Sequence, residues 1–302
     1  MNSPKPIVIV LLGPTASGKT ELGIEMAEKL NLNIHNVDSR QIYQGMDIGT
    51  AKATELQQKR VKHHLLDICE PNRPFTLHDF QKEAQRTIKI ALKNKRMALL
   101  VGGSGLYIKS VTEGLLPPAV APQQELRDQL RNLNKYECHK LLSSCDPISA
   151  NKISPKDSVR TIRALEVFYA TGLPMSKQTR AKPPNWQLIE LGLNPENLKE
   201  RIHHRTKAIF KNGLIEETKC LLDKYGPELS MLQTIGYKEA FEIISGKLNT
   251  AEAIIKTSHR TQQLAKRQKT WFKNKHHPKW LNNEQPLKES LSLIQDVLGW
   301  KD

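Results

Sequence analysis

The stretch IVIVLLGPTASGKT, residues 7–20, decides the fold. Ile7 to Leu12 form an unbroken apolar run, the pattern of a strand buried on both faces. Gly13 to Thr20 then match G-x-x-x-x-G-K-[ST] at every fixed position. TELGIEMAEKLN follows, with Leu22, Met26, Ala27 and Leu30 at helical spacing. A strand, a glycine loop and a helix in that order build a phosphate site, because backbone N–H groups and the helix N-terminus converge on an anion. The candidate phosphate ligands are Gly13, Thr15, Ala16, Ser17, Gly18, Lys19 and Thr20. Lys19 supplies a point charge, and the Thr20 hydroxyl is placed to reach Mg²⁺.

Outward from this loop, NIHNVD (33–38) reads as a second strand ending in Asp38, HHLLDIC (63–69) as a third, and MALLVGG (97–103) as a further one. The intervening PFTLHDFQKEAQRTIKIALKNK is helical, with Thr76 as its N-cap. Strands alternating with helices predict an α/β fold, a P-loop-type parallel sheet flanked by helices. Ligands of such sheets sit at the carboxyl ends of the strands, so the loop, Asp38 and Gly102-Gly103 should meet at one edge.

Beyond Gly114 a proline-rich joint, LLPPAVAP, leads into a helical stretch from Gln123 to Ile153. SPKDSVRTIRALEVFYATG (154–172) is a helix capped by Ser154 or Asp157 and stopped by Gly172. WQLIELGL (186–193) reads as the last strand, and residues 195–271 as largely α-helical. The expected division is a catalytic core over 1–198, with a helical excursion at about 121–153. A mainly helical part over 199–302 follows, its last residues packing back on the core.

Charge narrows the function. Among 302 residues, 46 Lys and Arg oppose 31 Asp and Glu, a net +15 that points to a polyanionic partner. From Ala253 to Asn283 no acidic residue occurs, while Lys256, Arg260, Lys266, Arg267, Lys269, Lys273, Lys275 and Lys279 do, interleaved with Trp271, Phe272 and Trp280. Cations with aromatic platforms suit single-stranded nucleic acid. Arg180, Lys182, Arg201 and Arg205 add charge without a motif. No apolar run is long enough to span a bilayer, the N-terminal run is too short for a signal peptide, and the 4 cysteines show no zinc spacing. A cytoplasmic protein with no membrane association is expected.

A nucleotide hydrolase on this loop should carry an apolar strand ending in an acid. The strand at 97–103 runs instead into VGGSG. Asp38, flanked by Ser39, Arg40 and Gln41, is suited to take a proton from a bound partner. A small-molecule or nucleotide kinase and an RNA-binding ATPase stand as the alternatives.

Seven segments carry a resemblance: GPTASGKT (13–20), DSRQIYQGMDIGTAK (38–52), HHLLDICEP (63–71), VGGSGLYI (101–108), VRTIRALEVF (159–168), TIGYKE (234–239) and QLAKRQKTWF (263–272). In this order they resemble the tRNA dimethylallyltransferase family, in its bacterial form. The resemblance implies that the loop and a Mg²⁺ hold the diphosphate of dimethylallyl diphosphate. Asp38 would accept a proton from N6 of the adenosine at tRNA position 37, next to the anticodon, with Lys19 and Ser104 as the other catalytic residues. Ser104 stands where the family usually has threonine. The target base must leave its stack, and Asp38, Ser39, Arg40 and Gln41 would receive it. Arg160, Arg163, Tyr237, Lys238, Lys266, Arg267, Gln268 and Trp271, with Phe272, would contact the anticodon stem-loop. Gln233 stands where many members have arginine. A monomer is expected.

Overall fold

Two buried faces explain the unbroken apolar run. In the computed structural model, which describes residues 5–299, β1 (Ile7–Leu12) sends Val8, Val10 and Leu12 into one hydrophobic cluster and Ile7, Ile9 and Leu11 into another. This is the alternation of a pleated strand with helices on both sides. α1 (Lys19–Leu30) covers the second face with Leu22, Ile24, Met26 and Ala27.

Along the chain follow β2 (Ile34–Asn36), α2 (Glu55–Arg60), β3 (His63–His64), α3 (Leu77–Lys95), β4 (Met97–Gly102) and α4 (Gly105–Thr112). Next come β5 (Leu115–Leu116), α5 (Gln124–Arg131), α6 (Lys135–Cys145), α7 (Pro147–Lys152), α8 (Ser158–Thr171), α9 (Met175–Gln178) and β6 (Arg180–Ala181). The chain closes with β7 (Gln187–Gly192), α10 (Leu198–Lys211), α11 (Leu214–Tyr225), α12 (Tyr237–Ile244), α13 (Thr250–Lys275), β8 (Lys279–Trp280) and α14 (Pro286–Leu298). Six strands form a parallel sheet in the order β3-β2-β4-β1-β7-β8. The α/β class with a parallel sheet and added helices is as the sequence reads.

Three local expectations change. The strand expected over 63–69 stops after two residues, because Leu65 (φ 68°) and Asp67 (φ 53°) turn left-handed, and only a bridge between Tyr43 and Cys69 continues it. The strand at 186–193 is not the last, since β8 pairs with it. The stretch 123–153 is three helices, interrupted by caps at Asn134 and Asp146. Thr76 does cap α3, in a reciprocal pair with Asp79. Of the two candidates for α8, Asp157 is the cap, and Gly172 (φ 69°) ends the helix.

The division of the chain also differs. One compact unit holds the described residues up to Val111 and from Asn185 onward; the other is Thr112–Pro184. No boundary falls near 198, because the late helices share the sheet's core. Phe210, Leu214, Tyr237, Ala253 and Phe272 belong to the same cluster as Val8, Val10 and Leu12. The unit 112–184 buries its own cluster, including Leu130, Cys138, Leu142 and Leu165.

That smaller unit is organised by one carboxylate. Glu166 is fully buried and accepts from Arg127 Nε (2.7 Å) and Nη2 (2.9 Å), from the Gln123 N–H (2.7 Å) and from Arg163. Burial opposes its ionisation, but the bonds from Arg127, Gln123 and Arg163 outweigh that and hold the carboxyl at about 2, against an ordinary 4.5. A folded pKa below the unfolded one adds stability above the unfolded pKa, lost as pH falls toward the folded one. Glu166→Gln should cost about 3 kcal/mol at neutral pH, read by urea titration of the full chain. The gap to the parent should close as pH is lowered toward 3; a pH-independent gap would rule out the ionised form as the source.

Candidate active site

The phosphate loop is shaped by what cannot fit and by what turns. A Cβ on Gly13 would lie 2.4 Å from the Leu193 carbonyl oxygen, just past β7. Ala16 (φ 62°) and Gly18 (φ 99°) adopt left-handed backbone, the kind of turn that gathers N–H groups into an anion-binding concavity. Leu198 and Ile202 of α10 and Ala265 of α13 pack against Ala16. Arg201 Nε donates to the Ala16 carbonyl at 2.8 Å. The helical part therefore grips the loop directly.

Lys19 folds back on the loop, donating to the Pro14 carbonyl at 2.7 Å and to Ser17 Oγ at 3.4 Å. Burial and the neighbouring Arg205 pull its ammonium down to about 7, with Asp38 pulling the other way. Burial also lowers the Arg205 guanidinium, and Asp38 again opposes the shift. Arg205 Nη2 donates to the Thr50 carbonyl at 3.3 Å. Neither Lys19 nor Arg205 forms an ion pair among the described residues, and two neighbouring cations of this kind suit an anion. Arg201 and Arg205 carried no interpretable motif in the sequence; the legible signal was their spacing of four, which places them on one side of a helix.

A cavity of about 580 Å³ opens from this point. Thr15, Lys19, Thr20, Asp38, Arg205 and Gln268 line it near the loop, and Gln233, Thr234, Thr257 and Arg260 line it elsewhere. Asp38 Oδ1 accepts the Arg40 N–H at 2.8 Å, which fixes the carboxylate as β2 gives way to the loop. Oδ2 has no protein partner among the described residues. Ser104 Oγ accepts the Ser39 N–H at 2.9 Å and donates to Ser39 Oγ at 3.2 Å. In the structure Ser104 holds the residue next to Asp38, a task that needs the hydroxyl.

Oxygen donors at the loop suit a hard cation. Thr20 lines the cavity with Asp38, and no cluster of three His, Cys, Asp or Glu residues stands ready for a metal among the described residues. That set fits Mg²⁺, which keeps waters and takes phosphate oxygens instead of a full protein cage.

The expected RNA contacts divide. Arg267 and Gln268 line the cavity, and Lys266 and Arg267 are exposed on α13. Lys266, Arg267, Lys269, Lys273 and Lys275 form no ion pair among the described residues, whereas Lys256 pairs with Glu242 and Arg260 with Glu239. Arg40 is exposed, with Nη1 3.3 Å from Met231 Sδ. Gln41 spends both amide hydrogens on the Thr50 and Ala51 carbonyls at 3.2 Å, and its Oε1 accepts no bond among the described residues. Lys238 is half-buried at the start of α12.

Four expectations are corrected. Tyr237 is fully buried and donates to Glu217 Oε1 at 2.6 Å, so it cannot touch RNA. Phe272 is fully buried in the core. Trp271 packs onto the turn at Gly105, where a Cβ would meet its ring at 2.2 Å, so it is no stacking platform. Arg163, in the smaller unit, is spent on the buried Glu166, while its neighbour Arg160 stays exposed beside Asp157.

Tyr237 instead belongs to a clamp the sequence did not reveal. Glu217 accepts the N–H groups of Asp47 (2.9 Å), Ile48 (2.8 Å) and Gly49 (3.0 Å), fixing the loop that carries Thr50 into the cavity wall. Gly49 is pressed on the Tyr237 ring, 2.4 Å from where a Cβ would sit. Gly49→Ala should destabilise the chain by about 1–3 kcal/mol by shifting this loop. A melting temperature equal to the parent's would show the contact to be slack.

Comparison with known proteins agrees with this geometry. A family model described as IPP transferase matches residues 41–275. The tRNA dimethylallyltransferase of Prochlorococcus marinus is 57% identical over 299 residues, covering 99% of this chain and 100% of that relative. The crystal structure of tRNA delta(2)-isopentenylpyrophosphate transferase from Staphylococcus epidermidis is similar at 35% identity and TM-score 0.70, covering 98% of this chain and 99% of that one. The tRNA isopentenylpyrophosphate transferase of Bacillus halodurans matches at 33% identity and TM-score 0.72, over 98% and 97%.

Proposed function

The chain belongs to the IPP transferase family, and from that premise we propose that it transfers a dimethylallyl group from dimethylallyl diphosphate to N6 of an adenosine in tRNA, at position 37. The observation that carries the reading is one cavity joining a phosphate loop, a carboxylate at a strand end and arginines of the basic helix.

The residues divide the work. Lys19, Arg205 and the loop N–H groups receive the diphosphate, and their positive charge grows in effect as the allylic C–O bond breaks and charge collects on the leaving group. Thr20 would hold a Mg²⁺, which supplies further charge neutralisation on the diphosphate when bound. Ser104 and Arg40 fix the Asp38 turn, and Asp38 Oδ2 takes the proton that N6 loses as its nitrogen bonds to the allylic carbon. The free Gln41 Oε1 is an acceptor suited to an amino group on the base. Walls from α10 and α13 keep water from the electron-poor carbon.

RNA reaches this cavity across the outer face of α13. A groove beside it is lined by Lys199, Lys266, Lys269, Lys273 and Trp280, the last 40% exposed over Gly192. Changing Lys266 and Lys269 together to alanine should reduce the slope of log affinity against log salt by about 1.4 for single-stranded contacts. An unchanged slope would remove this face from the RNA surface.

The reaction itself is tested by transfer of label from dimethylallyl diphosphate to an anticodon stem-loop. Prenylated adenosine is the expected product. Brisk ATP hydrolysis without it would favour the kinase or ATPase alternatives.

A further inference from the structure

Gln268 makes bonds that an RNA contact has no need of. Its Oε1 accepts the Thr15 N–H at 2.9 Å, and its Nε2 donates to the Gly103 carbonyl at 2.9 Å. One amide thereby ties α13 to the phosphate loop and to the end of β4. The fit has no slack: a Cβ on Gly103 would lie 2.7 Å from Gln268 Nε2. Trp271, one turn on, closes against Gly105 in the same way, and Ala265, on the turn before, belongs to the small cluster against which Ala16 packs. Other faces of this helix carry the unpaired, exposed Lys266, Lys269 and Lys273.

We infer that Gln268 couples the two substrates, setting the phosphate loop from the RNA-docking helix so that diphosphate and RNA strengthen each other's binding. The inference rests on the transferase reading above. Its physical basis is shared ordering. A loop N–H and a strand-end carbonyl bonded to one side chain move with the helix that carries it. RNA that restrains α13 therefore lowers the entropy lost when the loop closes on a diphosphate. Linkage makes the effect reciprocal. Gln268 acts in this through the loop, as a positioning residue.

The experiment measures affinity for a non-ionising thio-analogue of dimethylallyl diphosphate, with the full chain alone and with a saturating anticodon stem-loop. For the parent, RNA should tighten the analogue by about fivefold or more, and the analogue should tighten RNA by the same factor. In Gln268→Ala both factors should fall to about one. Donor KM should rise more than kcat falls, and RNA affinity without donor should stay unchanged. Gln268→Asn keeps the amide but is one methylene short of spanning both partners, and it should behave like the alanine variant. A merely structural role would lower the melting temperature and leave the coupling factor alone. Coupling retained in either folded variant overturns the inference, as does loss of RNA affinity with coupling intact, which would make Gln268 an RNA contact. Should neither variant fold, amide exchange of the parent's Thr15–Ser17 segment decides: RNA alone should slow it, and unchanged exchange overturns the inference. A parent chain that binds neither ligand defeats the transferase reading as well. One that binds both without coupling defeats only this inference.

Discussion

Asp38→Asn should slow single-turnover prenyl transfer by about 10²–10⁴-fold without weakening the donor. Asparagine keeps an oxygen for the Arg40 N–H that fixes the turn, so the fold of the strand end survives. What it loses is the capacity to take a proton. The donor side has a sign of its own. Asp38 is coupled electrostatically to both Lys19 and Arg205, favouring their charged forms. The same coupling means it partly neutralises the field that attracts a diphosphate. Removing the carboxylate should therefore leave donor affinity equal or slightly tighter while chemistry collapses. Rapid-quench kinetics with excess enzyme separates the two quantities. A variant whose donor KM rises while its single-turnover rate is preserved would make Asp38 a binding residue and leave the proton without an acceptor.

Arg205→Gln should cost about 10²–10³-fold in turnover, the second large effect. In the proposed reaction, diphosphate departure would develop charge where Arg205 and Lys19 stand together. A neutral amide still reaches the Thr50 carbonyl but offers that charge nothing comparable. Arginine is also the second cause of the depressed Lys19 ammonium, so the variant should move the Lys19 pKa upward, visible by NMR of the labelled amine. Arg205→Lys should recover only part of the rate, because a point charge cannot hold Thr50 and face the diphosphate at once. Full activity in Arg205→Gln would transfer the leaving-group role to Lys19 and the loop backbone alone.

The sheet and the loop were legible because their signals are local. An apolar run, a glycine spacing and a helical period each lie within a dozen residues, and each follows from the geometry of one element. Asp38 was legible for a related reason: a strand end in this sheet type has a known place relative to the loop. The residues that went unread act across long separations. Glu217 meets the backbone at 47–49, and Arg205 reaches Thr50; no local pattern announces either. Aromatic residues misled in the same way. Trp271 and Phe272 sit among cations in the sequence, but α13 turns them inward, against Gly105 and into the core, while Lys269 and Lys273 face out. A run of thirty residues has one composition but several faces, and only packing assigns them. The expected boundary near 198 failed for the same reason, since composition shifts there while the core does not.

The strut between Thr15 and Gln268 spans 253 positions. During synthesis the phosphate loop leaves the ribosome 253 residues before the side chain that completes its geometry. β8 and α14, which finish the sheet edge and cover α1, come later still. The nascent chain must therefore carry an apolar strand and an unfinished anion site until residue 268 and the segments after it have emerged. Long-range pairing of this kind is slow and exposes strand edges meanwhile. Chaperone demand in the cell should accordingly track the rate at which α13, β8 and α14 are made, far more than the rate at which the loop itself is made.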